Sequence, residues 1–288
     1  MLAISGMRTI LFWAGVAMEN FRRRYGPWAI VAGASDGVGA AFVEALAQSG
    51  INVVLVARRE TMIEALAEAV ASRHGVEARA LALDLAADDA AQQLWHAVGD
   101  LEIGSLIYCA GAQAKHLHFL DAPIAQAEAM LHRNCTVPMQ LCHLLMPAMV
   151  SRGRGGVIII GSGAGFAGAP NMVAYGATKA FDMVFAEALW TEVKPLGVDV
   201  LGLILGETDT PALRKLKVER GQHSSVDDPV PGTDTPQAVV EQAFAYWSRG
   251  PTRMANRQLR WGSRLFSLLS RNMGVKLMTR ASESTMGK

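Results

Sequence analysis

Apolar segments along this chain come as short, nearly unbroken runs rather than as alternating polar and apolar residues. Trp28 to Ala32, Val53 to Ala57, Leu106 to Cys109, Val157 to Ile160 and Val198 to Leu205 read this way, and Ala78 to Leu83 is strand-like. An alternating strand can leave one face in water, whereas a continuous apolar strand must be covered on both. Between these runs lie helix-length segments: Ala40 to Gln48, Thr61 to Arg73, Glu128 to Met149 and Tyr175 to Glu192. Pro147 predicts a break or kink late in the third. Strands alternating with helices make βαβ units and a parallel sheet. The pattern predicts an α/β chain folded as a single doubly wound domain.

The 288 residues are 51% hydrophobic, which is ample for a large core. A net charge of +1 excludes a chain-wide basic field for nucleic acid. The charge is uneven. Pro251 to Lys288 holds eight Lys/Arg and one acid, Glu283, so this stretch carries +7 and the rest −6. Three cysteines, Cys109, Cys135 and Cys142, form no CxxC and fit a reducing, cytoplasmic compartment. Thr9 to Met18 is mostly apolar and Arg22-Arg23-Arg24 follows. About ten apolar residues fall short of the roughly twenty that a membrane span needs. Residues 1–25 are therefore predicted to be an amphipathic helix packed on the domain, with membrane contact as the alternative.

Gly33-Ala34-Ser35-Asp36-Gly37-Val38-Gly39 lies between the first apolar run and the first helix. Glycines there let backbone approach a pyrophosphate, and a helix N-terminus offers unpaired N–H groups. The spacing is GxxxGxG. The second strand ends in Arg58-Arg59 and carries no carboxylate to accept from a ribose diol. Two guanidiniums suit a 2′-phosphate by charge and fork geometry, which favours NADP(H) over NAD(H). Asp84 and Leu85 follow the third strand as adenine contacts; Asp84 capping the next helix is the alternative.

Tyr175 and Lys179 stand at i and i+4, on one helix face. A neighbouring cation lowers a phenol's pKa, which suits Tyr175 to proton transfer with an alkoxide. Lys179 is also placed to hydrogen-bond a nicotinamide ribose. Ser162 follows Val157 to Ile160, at a strand's carboxyl end where ligands of doubly wound sheets sit. Asn134 lies mid-helix, where asparagine is disfavoured, and is read as holding a water that relays protons to Lys179. His132, Cys135, Cys142 and His143 do not match a zinc spacing and are read as helix residues, the cysteines as core. His116 and His118 are read as loop histidines near the substrate.

Taken together, these residues resemble the short-chain dehydrogenase/reductase family over roughly Pro27 to Arg253. The resemblance implies a Rossmann-type domain with about seven parallel strands flanked by helices. It implies a cofactor turn at Gly33, Gly37 and Gly39 and a catalytic tetrad at Asn134, Ser162, Tyr175 and Lys179. The Ser-to-Tyr separation of 13 residues is the family's usual one. Tyr25-Gly26-Pro27-Trp28-Ala29, Phe119-Leu120-Asp121 and Pro147-Ala148-Met149-Val150 look like the branch of 3-ketoacyl-CoA reductases and 17β-hydroxysteroid dehydrogenases. That branch implies reduction of hydrophobic ketones with NADPH and, for many members, membrane association. Three positions depart from the family. Its Asn-Asn-Ala-Gly reads Tyr108-Cys109-Ala110-Gly111, its Thr before the first glycine is Ala32, and its Pro-Gly after the sixth strand is Leu205-Gly206.

The resulting expectation is an NADP(H)-dependent oxidoreductase that interconverts a hydrophobic ketone and its secondary alcohol. A catalytically silent nucleotide-binding scaffold is the alternative. Ser35, Asp36, Val38, Ala110, Gly111, Gly206, Thr208 and Thr210 complete the expected cofactor set, together with Tyr175 and Lys179. No metal is expected. Residues 26–253 form the catalytic domain, with 206–235 as a substrate lid and 254–288 as a basic amphipathic extension. That extension is read as a lid, a subunit interface or a peripheral membrane contact. The family implies a homodimer or homotetramer through the Glu128–Met149 and Tyr175–Glu192 helices.

Overall fold

The computed structural model describes residues 18–111 and 117–286. A helical stretch over residues 18–25, α1, leads into strand β1 (Trp28–Ala32), helix α2 (Gly37–Gln48), β2 (Asn52–Ala57), α3 (Glu60–His74) and β3 (Ala78–Ala82). Then come α4 (Ala90–Ala97), β4 (Ile103–Tyr108), α5 (Ile124–Leu131), α6 (Val137–Arg152), β5 (Gly155–Ser162), α7 (Val173–Val193) and β6 (Val198–Leu205). The chain continues through α8 (Pro211–Glu219), α9 (Pro236–Tyr246), β7 (Thr252–Met254), α10 (Arg257–Phe266) and α11 (Arg271–Met286). The strands form one seven-stranded sheet in the order β3-β2-β1-β4-β5-β6-β7, every pair parallel.

The continuous apolar strands are buried on both faces, as their composition requires. Ile30, Val54, Leu106 and Val157 point into one core with Leu94, Leu141 and Met149. Their neighbours Ala29, Val31, Val53 and Ile158 point into the other, with Phe42, Ile63 and Trp247. The period-2 geometry of a strand sends successive side chains to opposite layers. The strand order reverses between β1 and β4, and ligands of doubly wound sheets sit outside the strand ends at such a switch.

The long helix expected over Glu128–Met149 is two helices. A π turn at His132–Thr136 separates α5 from α6, while the helix runs on through Pro147 to Arg152. The irregularity lies around Asn134, because a π turn adds a residue to the helical ladder and redirects the side chains it carries.

The described end of α1 packs on the domain. Phe21 lies 4.8 Å from the rings of both Tyr25 and Phe244. Tyr25 stacks on Trp247 at 4.0 Å and donates to the buried carboxylate of Asp199 at 2.8 Å. Arg24 and Lys194 also donate to Asp199. Residues 1–17 of the predicted amphipathic helix lie outside the described residues. Among the described residues, no helix is long and apolar enough to cross a membrane.

Candidate active site

The glycine turn after β1 is built for close backbone approach. Gly33 has φ +85°, and a Cβ there would lie 2.8 Å from the Ala110 nitrogen. A Cβ on Gly39 would lie 2.0 Å from the Gly33 carbonyl oxygen. Any larger residue would force α2 off β1. The N-terminus of α2 therefore opens onto a cavity of about 470 Å³ lined by Asp36, Gly37, Val38 and Gly39. Its first N–H groups have no intrahelical acceptor and carry the positive end of the helix dipole.

The same cavity contains Ser162, Tyr175 and Lys179, together with Gly206, Thr208 and Thr210, the last packed against Gly37. Ser162 ends β5, and its hydroxyl accepts from the Ala164 N–H at 3.2 Å. The turn after it packs directly on α7, where a Cβ on Gly176 would lie 3.1 Å from the Ala164 carbonyl oxygen, so Ser162 and Tyr175 line the same cavity. Tyr175 is half-buried and Lys179 is buried. The Lys179 ammonium lies 5.9 Å from the centroid of the Tyr175 ring. It donates to the Ile160 carbonyl and to Asp182 Oδ2, both at 2.8 Å. Burial alone would lower its pKa, but the charges of Asp182 and Tyr175 prevail and hold it above the usual lysine value.

Asn134 reaches this assembly through α7. Its side-chain N–H groups donate to the Gly111 carbonyl at 3.3 Å and to Thr178 Oγ1 at 3.0 Å. Thr178 in turn donates to the Tyr175 carbonyl at 2.8 Å. The Gly111 φ of +131° brings that strand end against Asn134, and a Cβ there would lie 2.8 Å from Asn134 Oδ1. Tyr108 stands where the family has asparagine, and its hydroxyl donates to the Arg133 carbonyl in the π turn. Burial raises the Tyr108 pKa, so it stays a neutral donor.

A second cavity of about 240 Å³ joins the first at Cys109 and Gly111. Gly33, Ser35, Arg58, Arg59, Asp84, Leu85 and Ala110 line it. All of the expected cofactor positions thus fall along one continuous groove. Arg59 donates to Ser35 Oγ and to Asp36 Oδ2, each at 2.6 Å. That ion pair is exposed, so it is worth only about 0–1 kcal/mol and yields readily to a stronger anion. Asp84 caps no helix. Its Oδ1 accepts from the Ala86 N–H in a local turn, while α4 starts at Ala90 after Asp89. The groove fits a dinucleotide on three counts: a cradle that any Cβ would fill, a helix N-terminus, and guanidiniums at one end.

Arg133 and Asp182 were not singled out in the sequence. Arg133 lines the second cavity beside Asp84 and Leu85. Its place next to Asn134 was a usable signal once the tetrad was assigned. Asp182 sits three residues after Lys179, and a carboxylate on the buried face of an apolar helix was the corresponding clue. Cys142 is core, Cys135 in the π turn is only partly buried, and His132 hydrogen-bonds the Ala87 carbonyl at 2.9 Å. His118 is exposed, and His116 lies outside the described residues.

The 206–235 segment is ordered by its own charges. Arg214 grips both carboxylate oxygens of Asp209, and Lys217 pairs with Glu207 at 2.9 Å. Helix α8 turns Ala212, Leu213 and Leu216 into the main cavity. The C-terminal helices lie over the segment following Ser162. Phe266 meets Phe166 at 6.0 Å, Arg271 donates to the Phe166 carbonyl at 2.6 Å, and Ser282 to the Pro170 carbonyl at 3.0 Å.

Comparison with known proteins agrees with this geometry. The sequence profile of the short chain dehydrogenase family matches residues 27–221. A 7beta-hydroxysteroid dehydrogenase of Collinsella aerofaciens is 34% identical over 227 residues, 78% of this chain and 84% of that protein. A human very-long-chain 3-oxoacyl-CoA reductase is 30% identical over 217 residues, 74% of this chain and 68% of that protein. A solved 7beta-hydroxysteroid dehydrogenase superposes with a TM-score of 0.80 at 29% identity, covering 89% of this chain and 98% of its own. A short-chain dehydrogenase from Sphingobium yanoikuyae, solved with NADPH, gives 0.71 at 29% identity, covering 85% and 96%. With its parallel sheet, its glycine turn and these relatives, the chain belongs to the short-chain dehydrogenase family of oxidoreductases.

Proposed function

We propose that this protein is an NADP(H)-dependent oxidoreductase that interconverts a hydrophobic ketone, steroid-like or fatty acyl, and its secondary alcohol. The observation that carries the reading is one cleft holding Ser162, Tyr175 and Lys179 beside the N-terminus of α2. Gly33 to Gly39 and the α2 N–H groups hold the diphosphate. Arg58 and Arg59 hold the 2′-phosphate, with Arg59 exchanging Asp36 for the more highly charged anion. Asp84, Leu85, Ala110 and Gly111 enclose the adenosine, and Gly206, Thr208 and Thr210 border the nicotinamide end.

When bound, the cofactor supplies or accepts a hydride at the carbonyl carbon. The protein handles the proton and the charge. The Ser162 hydroxyl donates to the carbonyl oxygen as negative charge develops there. The Tyr175 hydroxyl gives that oxygen its proton, or takes it back in the oxidation direction. The Lys179 ammonium stabilises the phenolate left behind and anchors the ribose. Asn134 fixes this group through Thr178 and Gly111. Its Oδ1 accepts from Arg133 and keeps a second lone pair for a relay water.

The cavity walls support this substrate class. Met172, Leu213, Leu216 and Ala164 line the cavity, which makes its substrate half apolar. The relatives' names, a hydroxysteroid dehydrogenase and a 3-oxoacyl-CoA reductase, match such a surface. Helix α8 and the C-terminal helices act as the lid. Ile124, Leu131, Met139, Val173 and Val184 expose apolar surface on α5, α6 and α7, which serves a subunit interface. Titration with NADPH and NADH, read by tryptophan fluorescence, tests the cofactor assignment. Tight NADPH and weak NADH are expected. Binding of neither would overturn the reading.

A further inference from the structure

Asp182 has no task in the reaction just described, yet it is one of the few charged residues fully withdrawn from water. Its side chain is 3% exposed and that of Lys179 5%. Oδ2 accepts from the Lys179 ammonium at 2.8 Å, while Oδ1 is buried with no hydrogen-bond partner among the described residues. A structural salt bridge rarely leaves half its carboxylate unsatisfied, because a lone buried acceptor costs about 1–3 kcal/mol. Helix α7 could host an apolar residue here, and replacing such a pair by apolar residues is often neutral or stabilising.

We infer that Asp182 is a positioning residue for Lys179, keeping its ammonium charged and aimed while buried. The inference rests on the proposed roles of Tyr175 and Lys179. The geometry accounts for both parts. An ammonium has three donors; Ile160 O and Asp182 Oδ2 take two, which leaves one N–H for the cleft. Burial by itself drives a lysine toward the neutral form, and a neutral amine stabilises a phenolate far less and has one donor fewer with which to be held. The groups that face this pair are Tyr175 on the same helix, Arg133 and Cys135 from the π turn, and Tyr108 and Cys109 at the end of β4. Arg133 opposes the charge on Lys179, and Tyr108 and the thiols stay neutral because burial raises their pKa values. Asp182 is therefore the carboxylate that offsets both burial and Arg133.

The test compares the unaltered chain with Asp182→Asn, which keeps the shape and removes the charge. The cofactor-free protein labelled at lysine Cε is titrated by NMR, with the Lys179 resonance assigned from Lys179→Met. In the unaltered chain Lys179 should stay charged at least as far up in pH as the surface lysines, near ~10.4. In Asp182→Asn it should titrate about one pH unit or more lower. The alkaline limb of turnover against pH should move down with it. A Lys179 that titrates with the surface lysines in both proteins overturns the inference. Should Asp182→Asn fail to fold, the Asp182 carboxyl is followed in Lys179→Met, where it must titrate at higher pH than in the unaltered chain. An unchanged carboxyl titration overturns the inference equally. The titrations need no cofactor, so they stand apart from the oxidoreductase reading. That reading fails separately, if the unaltered chain neither binds nor turns over a nicotinamide cofactor.

Discussion

Gly165 lies so close to Lys179 that a Cβ on it would be 2.6 Å from the Lys179 carbonyl carbon. This contact clamps the turn after Ser162 onto the first turns of α7. Gly165→Ala should part the two and lower turnover by roughly 10- to 100-fold, since a displacement of about 1 Å at reacting groups has that effect. The proposed diphosphate and 2′-phosphate contacts lie away from this clamp, so NADPH binding should change only a few-fold. Parallel measurement of kcat and NADPH Kd checks this. Full turnover in the variant would show that the clamp is dispensable.

Cofactor preference is expected to reside in Arg58 and Arg59. A charge-assisted hydrogen bond is worth about 1.5–3 kcal/mol, so Arg58→Ala and Arg59→Ala should each weaken NADPH roughly 10- to 150-fold and leave NADH nearly unchanged. Asp36→Asn releases Arg59 from its exposed pair and should tighten NADPH by no more than about fivefold. Equal losses for both cofactors would place the 2′-phosphate elsewhere in the groove.

Asp199 ties α1 to the sheet. Burial would raise its pKa, but hydrogen bonds from Arg24, Lys194 and Tyr25 prevail and hold it below the usual carboxylate value. A carboxyl lowered by folding adds stability above its unfolded pKa of about 3.9, and that stability is lost as pH falls further. Arg24 and Lys194 are 39% and 35% exposed, so water recovers part of their charge when Asp199 is removed. Asp199→Asn should therefore cost about 1–3 kcal/mol near neutral pH, less than a fully buried pair. Thermal melts should show the gap between the two proteins constant from pH 7 to about 5 and closing below about 4. A gap that widens in acid would contradict this assignment.

The sequence placed the glycine turn, Ser162, Tyr175, Lys179 and the two arginines along one groove, as they are found, whereas the Gly165–Lys179 contact carried no signal in it. Strand ends follow from unbroken apolar runs, and motif spacing then places Ser162, Tyr175 and the glycine turn at one edge of the sheet. What stayed hidden depended on contacts across elements. The π turn at His132–Thr136 has no local composition signal stronger than Pro147, so the irregularity was assigned to the proline. Asp84, expected as an adenine contact, lines the second cavity, and the alternative of a helix cap fails because its carboxylate closes a local turn to Ala86 instead. Asp182 and Arg133 gained meaning only once α7 and the π turn were seen against the cavities.

Tyr175 is proposed as the proton donor in a cleft that binds a nicotinamide cofactor beside an apolar ketone. The most direct measurement is NADPH consumption with a bulky apolar ketone, comparing the unaltered chain with Tyr175→Phe at saturating cofactor. Loss of a general acid should lower turnover by roughly 10²–10⁴-fold, with NADPH binding preserved. Equal turnover by the two proteins would contradict the account.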